Sequence, residues 1–326
     1  MFKVKFIWFI IFIFCQTFLQ AMPLNKDKQA LVKALKGNNI SAIKKLAKKI
    51  YKYDLNLSTG VKKIKPLLFS INAGWTDIAM QLIKDNIAIN ETDNGNTSLM
   101  YACENLQPTL VKAILDKKVN PNMVNNFGTS SLFSVGKRVV WDGPLQEYQR
   151  MRYEIVDLLL KHGTNPNSSD HPIFEFCDNK EILKLLIKNG ANYTSSNNNI
   201  FLNRQTGILH YAAINGDSTV INYMIDDLKL PINQPDSLGW TPLHHAAFQH
   251  NILAIKALLA KGADKKLTTI KDYQSLFTGY ISPIYPAGLT PYDIYILRNI
   301  KYKSQETIEP TDKILEMLKI SKENRF

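Results

Sequence analysis

Cysteine is scarce in this sequence and widely scattered: three thiols, at positions 15, 103 and 177, in 326 residues. That spacing excludes a paired-cysteine metal or redox motif. Equally absent are a nucleophile elbow and a glycine loop able to cradle phosphate, so the common catalytic signatures find no place here. No apolar run reaches the roughly 20 residues that cross a bilayer core. Acidic residues are outnumbered, 28 against 40 lysines and arginines, giving a formal net charge of +12. The lysines come without an arginine-rich or base-stacking motif, which argues against nucleic acid. What is plentiful is apolar content, 45%. A chain of this length with that content builds a real core, as two ordinary domains or one elongated array.

The amino terminus reads as a targeting segment. In MFKVKFIWFIIFIFCQTFLQA, Lys3 and Lys5 precede an apolar run from Phe6 to Phe14, and the stretch ends on the small residue Ala21. This is the layout of a secretory signal peptide over residues 1–21, cleaved after Ala21. The alternative is an uncleaved anchor. Export across an inner membrane is expected in either case, to a secreted or periplasmic location after cleavage and to a membrane-anchored one without it.

Beyond it the sequence repeats itself. The frame TPLHHAA at Thr241 returns as GILHYAA at Gly207, TSLMYAC at Thr97, KPLLFSI at Lys65, SLFSVG at Ser131, HPIFEFC at His171 and, degenerately, TPYDIYI at Thr290. The framing residues Leu67, Leu99, Leu132, Ile173, Leu209, Leu243 and Tyr292 are 32, 33, 41, 36, 34 and 49 residues apart. A second apolar segment follows the earlier copies, as in LVKAILDKKVNPN and IKALLAKGAD, with helical spacing and a closing Gly or Asn. Each unit is therefore a helix, a turn, a second helix and an extended link. Insertions at 136–148, 192–206 and 268–287 lengthen the period. The first predicts Pro144 at the start of a long helix, the second an exposed Asn- and Ser-rich loop.

In TPLHHAA and KALLAKGAD the chain resembles the ankyrin-repeat family. The copies at 65, 131 and 171 match loosely. Seven repeats are expected over 65–326, after a divergent capping repeat over 22–64. The resemblance implies an all-α solenoid: stacked helix pairs, β-hairpin fingers along one edge and a concave surface that binds proteins. It implies no catalysis and no cofactor. It also gives Thr241, Pro242 and His244 a structural part, the threonine and histidine bonding to each other at the start of the first helix; His210 holds the same place in a copy whose threonine is Gly207. A metal reading of the histidines fails on spacing, because His245 and His250 are five residues apart and do not share a helix face. The use of Lys, Asn and Ile fits a low-G+C genome, and a Sec-type signal ahead of such repeats points to a bacterial source.

Several side chains are left to the surface by this frame. The slot after the motif histidine holds Phe69, Tyr101, Ser134, Glu175, Tyr211 and His245, and Tyr101, Tyr211 and His245 are expected as partner anchors. The insertion before the last repeat adds Tyr273, Phe277, Tyr280 and Tyr285, either as a partner-binding finger or folded back as a cap. Between Lys26 and Lys65 twelve lysines face only Asp27 and Asp54. Lys44, Lys45, Lys48 and Lys49 lie off the apolar face of their helix, as a solvated cap or as a contact with an anionic membrane. Cys103 and Cys177 occupy the small slot that Ala213 and Ala247 fill elsewhere, two repeats apart, which predicts two buried free thiols. The function expected is a non-catalytic protein-binding module, engaging a host protein or, alternatively, protecting a resident periplasmic enzyme.

Overall fold

The computed structural model describes residues 26–37, 39–51, 65–87, 89–136, 143–168, 172–194, 197–199, 204–274, 284–302 and 312–319. The signal segment, Phe277 and Tyr280 lie outside them. The chain divides into two compact units, Met1–Asn165 and Pro166–Phe326.

The first unit is built of helix pairs: α1 Lys26–Lys36 with α2 Ile40–Tyr51, α3 Pro66–Asn72 with α4 Thr76–Lys84, α5 Ser98–Glu104 with α6 Pro108–Leu115, and α7 Ser131–Gly136 with α8 Leu145–Lys161. A finger of two short strands, β1 Thr92–Asp93 and β2 Asn96–Thr97, precedes α5. The starts follow local chemistry. Pro66 and Pro108 stand at the first helical position, where no N–H is needed, and the Thr97 side chain accepts the Met100 N–H to cap α5. First helices pack on first helices, α3 on α5 and α5 on α7, while α4 packs on α6 and α6 on α8. Leu67, Leu99, Leu132, Ile78, Leu110 and Ile155 are buried between them. A short amphipathic helix buries its apolar stripe only against neighbours, so stacking is obligatory.

The second unit starts differently. Where the HPIFEFC copy predicts a first helix, Pro172–Phe176 makes only a 3-10 turn, with Cys177 closing it. Then come α9 Lys180–Lys188, a hairpin of β3 Asn197–Asn199 and β4 Arg204–Thr206, α10 Ile208–Asn215, and α11 Ser218–Asn222, which passes into a π turn over Tyr223–Asp227. The expected loop at 192–206 is thus partly a hairpin, and it ends on the fully buried Thr206. α12 Pro242–Phe248 and α13 Ile252–Ala260 form the best-matched repeat. The strands β5 Tyr273–Gln274 and β6 Ile284–Tyr285, and the helices α14 Pro291–Tyr302 and α15 Asp312–Leu318, complete the unit. α10 packs on α12 and α12 on α14.

Fingers touch each other the same way in both units. Asn126 N–H donates to Asn94 O at 3.2 Å, and Ile270 N–H to Leu238 O at 2.9 Å. The turn residues beneath, Gly95 and Gly239, have φ near +80°, and a Cβ on either would come within 2.7 Å of the neighbouring finger's backbone. Only glycine allows both the left-handed turn and that approach.

Cys103 and Cys177 are buried free thiols, and desolvation pushes both well above the ordinary thiol range. In a Cys15→Ser chain, a thiol reagent at pH 8 is expected to label neither cysteine in the native protein and both after guanidinium unfolding. Rapid native labelling would contradict these closed slots.

Candidate functional site

In the window GWTPLHHAAFQHN, His244 and His245 are held by hydrogen bonds within the fold, while His250 stacks on Tyr295. Thr241 N–H donates to His244 Nδ1 at 3.1 Å, and the Thr241 hydroxyl lies 2.8 Å from the same nitrogen. Nδ1 is therefore an acceptor, which leaves the proton on Nε2 to face Leu289 O at 3.1 Å, 45 residues on. One imidazole thus closes its own turn and bonds the next repeat. His210 uses half of this arrangement: Gly207 N–H donates to its Nδ1 at 3.1 Å, with no hydroxyl to assist.

His245 is an interior residue. Its Nε2 lies 3.0 Å from Asp236 Oδ2, and Asp236 Oδ1 accepts the N–H groups of Leu238 and Trp240. The equivalent finger in the first unit has Asn125, whose Oδ1 accepts from Phe127 and Thr129 while its Nδ2 donates to Asn96. The same turn is closed by amide in one unit and by carboxylate in the other. The carboxylate supplies the acceptor that lets an imidazole be buried.

These facts correct four of the expected partner anchors. His245 is only 2% exposed, with Asp236 on one side and the His210 and Trp240 rings on others. Tyr211 is buried with its ring 4.8 Å from Phe174. Tyr273 and Tyr285 are buried too, in a cluster with Trp240 and Ile294, against which Phe248, Leu238, Leu289 and Leu297 pack. The Trp240 ring meets Tyr273 at 5.5 Å and Tyr285 at 6.2 Å, both edge to face, a favoured aromatic geometry. The described part of the insertion is thus folded back over the last repeat. Thr269 pins it, its N–H donating to Leu289 O and its hydroxyl accepting the Leu289 N–H. Tyr101 alone of the described tyrosine anchors keeps partial exposure.

Four of the twelve lysines between Lys26 and Lys65 are tied to carboxylates. Lys28 pairs with Asp77, Lys36 with Asp85 at 2.6 Å, Lys49 with Asp27 at 2.8 Å and Lys65 with Asp93 at 2.7 Å. The hydrogen bond from Lys36 holds the Asp85 carboxyl below its usual range. Exposed pairs of this kind contribute little stability, but they leave a weaker basic surface than the lysine count implies. Lys45 is exposed, and the side chains of Lys44 and Lys48 lie outside the description. Nothing here supports a membrane contact.

What the repeat frame did not single out are the finger tips. Phe127 is 82% exposed, with Met123 and Val124 also exposed on the same finger. Ile270 is 65% exposed beside Leu267 in the second unit. The signal was present in the string NNFG: a large ring between turn formers stands where no neighbour can cover it. Among the described residues, no group of three or more His, Cys, Asp or Glu side chains is placed to hold a metal ion.

Tyr285 is only 1% exposed, so its replacement by Ala should cost about 3–5 kcal/mol, as for other large buried rings. Urea unfolding measures this; a loss below about 1 kcal/mol would mean that the insertion does not cap the last repeat.

Comparison with known proteins agrees with this architecture. A family model described as ankyrin repeats (3 copies) matches residues 16–125 and 171–269, well over half of the chain. An ankyrin repeat protein of Rickettsia bellii is 30% identical over 163 residues, 50% of this chain and 59% of that protein. The 26S proteasome non-ATPase regulatory subunit 10 of Dictyostelium discoideum is 41% identical over 56 residues, 17% of this chain and 24% of that one. The chain thus spans less than two thirds of the length of these relatives. Among solved structures, the ankyrin repeat domain of human ASB11 aligns with a TM-score of 0.55 at 20% identity, covering 79% of this chain and 99% of that one, a likeness of fold. With helix pairs, a threonine-histidine turn and touching fingers beside the family match, the chain belongs to the ankyrin-repeat family, whose repeats bind protein partners.

Proposed function

We propose that this chain is an exported, non-catalytic binding module that holds a protein partner with its finger tips. The observation that carries the reading is Phe127, a ring left 82% exposed at the turn of a finger whose N–H groups from Asn125 to Thr129 are all hydrogen-bonded. A rigid aromatic on a fixed turn loses little freedom on binding, which makes it an efficient anchor. Met123 and Val124 extend the apolar surface, and Ile270 with Leu267 offer a second one in the other unit. Tyr101 adds a half-buried ring with a polar tip. The interior histidines are engaged in structure, which is why no chemistry is assigned to them. Residues 1–21 supply the export route, and a bacterial source fits the composition.

The test is capture of a partner from host lysate and from periplasmic extract by the mature chain and by Phe127→Ser. The variant should keep the parent's thermal unfolding and bind at least about thirtyfold more weakly, the effect of removing a central anchor. Full capture by the variant would remove the fingers from the interface. Fractionation of the producing cell decides the destination: a culture-medium or host-cell pool favours a host-directed factor, whereas a pool confined to the periplasm favours the protector of a resident enzyme.

A further inference from the structure

Four of the six histidines lie between positions 210 and 250, at the joint where α10, α12 and α14 pack in sequence. Two of them, His210 and His244, use Nδ1 as an acceptor for a main-chain N–H of their own turn, from Gly207 and Thr241. A proton added there turns the acceptor into a donor and sets N–H against N–H. Neither turn survives that change intact.

Charge adds to this. His210 and His245 are each 2% exposed and meet edge to face with centroids 5.3 Å apart. Asp236 is the carboxylate that acts on both, and its Oδ1 is already committed to two main-chain N–H groups. It can balance one imidazolium in this dry interior, but not two side by side. His244 faces Thr241, the Leu289 carbonyl and the Trp240 ring, none of them charged. His250, in the turn after α12 at φ 54°, stacks on Tyr295 at 4.4 Å and feels the positive charge of Arg298.

We propose that this joint is an acid-released latch: proton uptake by its buried histidines loosens α10, α12 and α14 from one another, while the helix pairs of the first unit keep their packing. Among the described residues the first unit offers only His162, an exposed side chain, so it holds no comparable group. The direction follows from linkage. Burial holds the His210 imidazole below its ordinary range, and burial together with Arg298 pushes His250 down to about 4. The packed joint therefore refuses protons that the opened joint accepts near the ordinary value of 6.5. Its stability is complete above about pH 6.5 and is lost as the pH falls toward the packed-state values, by up to about tenfold in the opening equilibrium per pH unit and per histidine.

Hydrogen exchange on the full chain at pH 7.5 and 5.0, corrected for the intrinsic pH dependence of exchange, tests this. Amides of 208–215 and 242–248 should lose at least about tenfold in protection at pH 5.0, and those of 98–104 and 108–115 less than about threefold. An equal loss in both units, or none in the second, overturns the proposal. His210→Asn supplies an amide oxygen for the Gly207 N–H that does not titrate, so the acid loss over 208–215 should shrink; a loss as large as in the parent overturns the part given to His210. Should that variant not fold, histidine NMR of the parent decides. His210 must stay neutral for as long as protection persists, and its titration near pH 6.5 with protection intact contradicts the latch.

Discussion

One imidazole illustrates what every repeat here depends on. His244 closes its own turn through Nδ1 and reaches the carbonyl of Leu289 through Nε2, so the geometry of one repeat becomes a hydrogen bond to the next. The underlying constraint is that a single pair of short amphipathic helices cannot bury its apolar stripe alone. Neighbours must be present, and they must be in register. Apolar packing supplies the drive and little of the register, because it has no direction. Register comes from polar side chains that satisfy backbone groups across the step. Asn122 takes Gly163 O and the Asn165 N–H, and Asn167 takes Gly190 O and the Asn192 N–H. Asn251 both caps α13 and reaches back to carbonyls of Ala213, Ile214 and Gly216. Each such bond adds about 1 kcal/mol net, yet leaving its buried partner unsatisfied costs more, so a slipped register is disfavoured twice.

The periodic part of this was legible in the residues. Framing leucines near every thirty-third position, closing glycines and the Thr-Pro-Leu-His string fix where helices begin and end, because those signals act within a turn of chain. The cysteines were legible for the same reason, as occupants of a slot whose size the neighbouring alanines define. Exposure of a given slot was not. Tyr211 and His245 stand where a surface residue is expected, but their cover comes from Phe174 and His210 in the preceding repeats, together with Asp236 and Trp240 of the finger before α12. The insertion is a similar case. Tyr273 and Tyr285 are apolar enough to demand cover, and they find it on Trp240 and the last repeat. At His171 the motif predicts a helix that the short span between Pro172 and the Asn179 cap of α9 holds to a 3-10 turn.

Polar and apolar side chains divide along the same line. His244 and the bridging asparagines are consumed by the register they give, whereas large apolar side chains stand exposed on the fingers. Gly95 and Gly239 let one finger lie against the next, which fixes the tips that carry Phe127 and Ile270.

The central claim is that polar bridges between repeats, and not apolar contact alone, hold neighbours in place. His244→Asn tests it most directly, because asparagine can accept the Thr241 N–H but cannot reach Leu289 O. In native-state hydrogen exchange at pH 7.5 the account predicts that α14 loses about five- to thirtyfold in protection, the equivalent of one lost bond and its orphaned carbonyl, while α10 is unchanged. Undiminished protection in α14, or an equal loss in both helices, would contradict it.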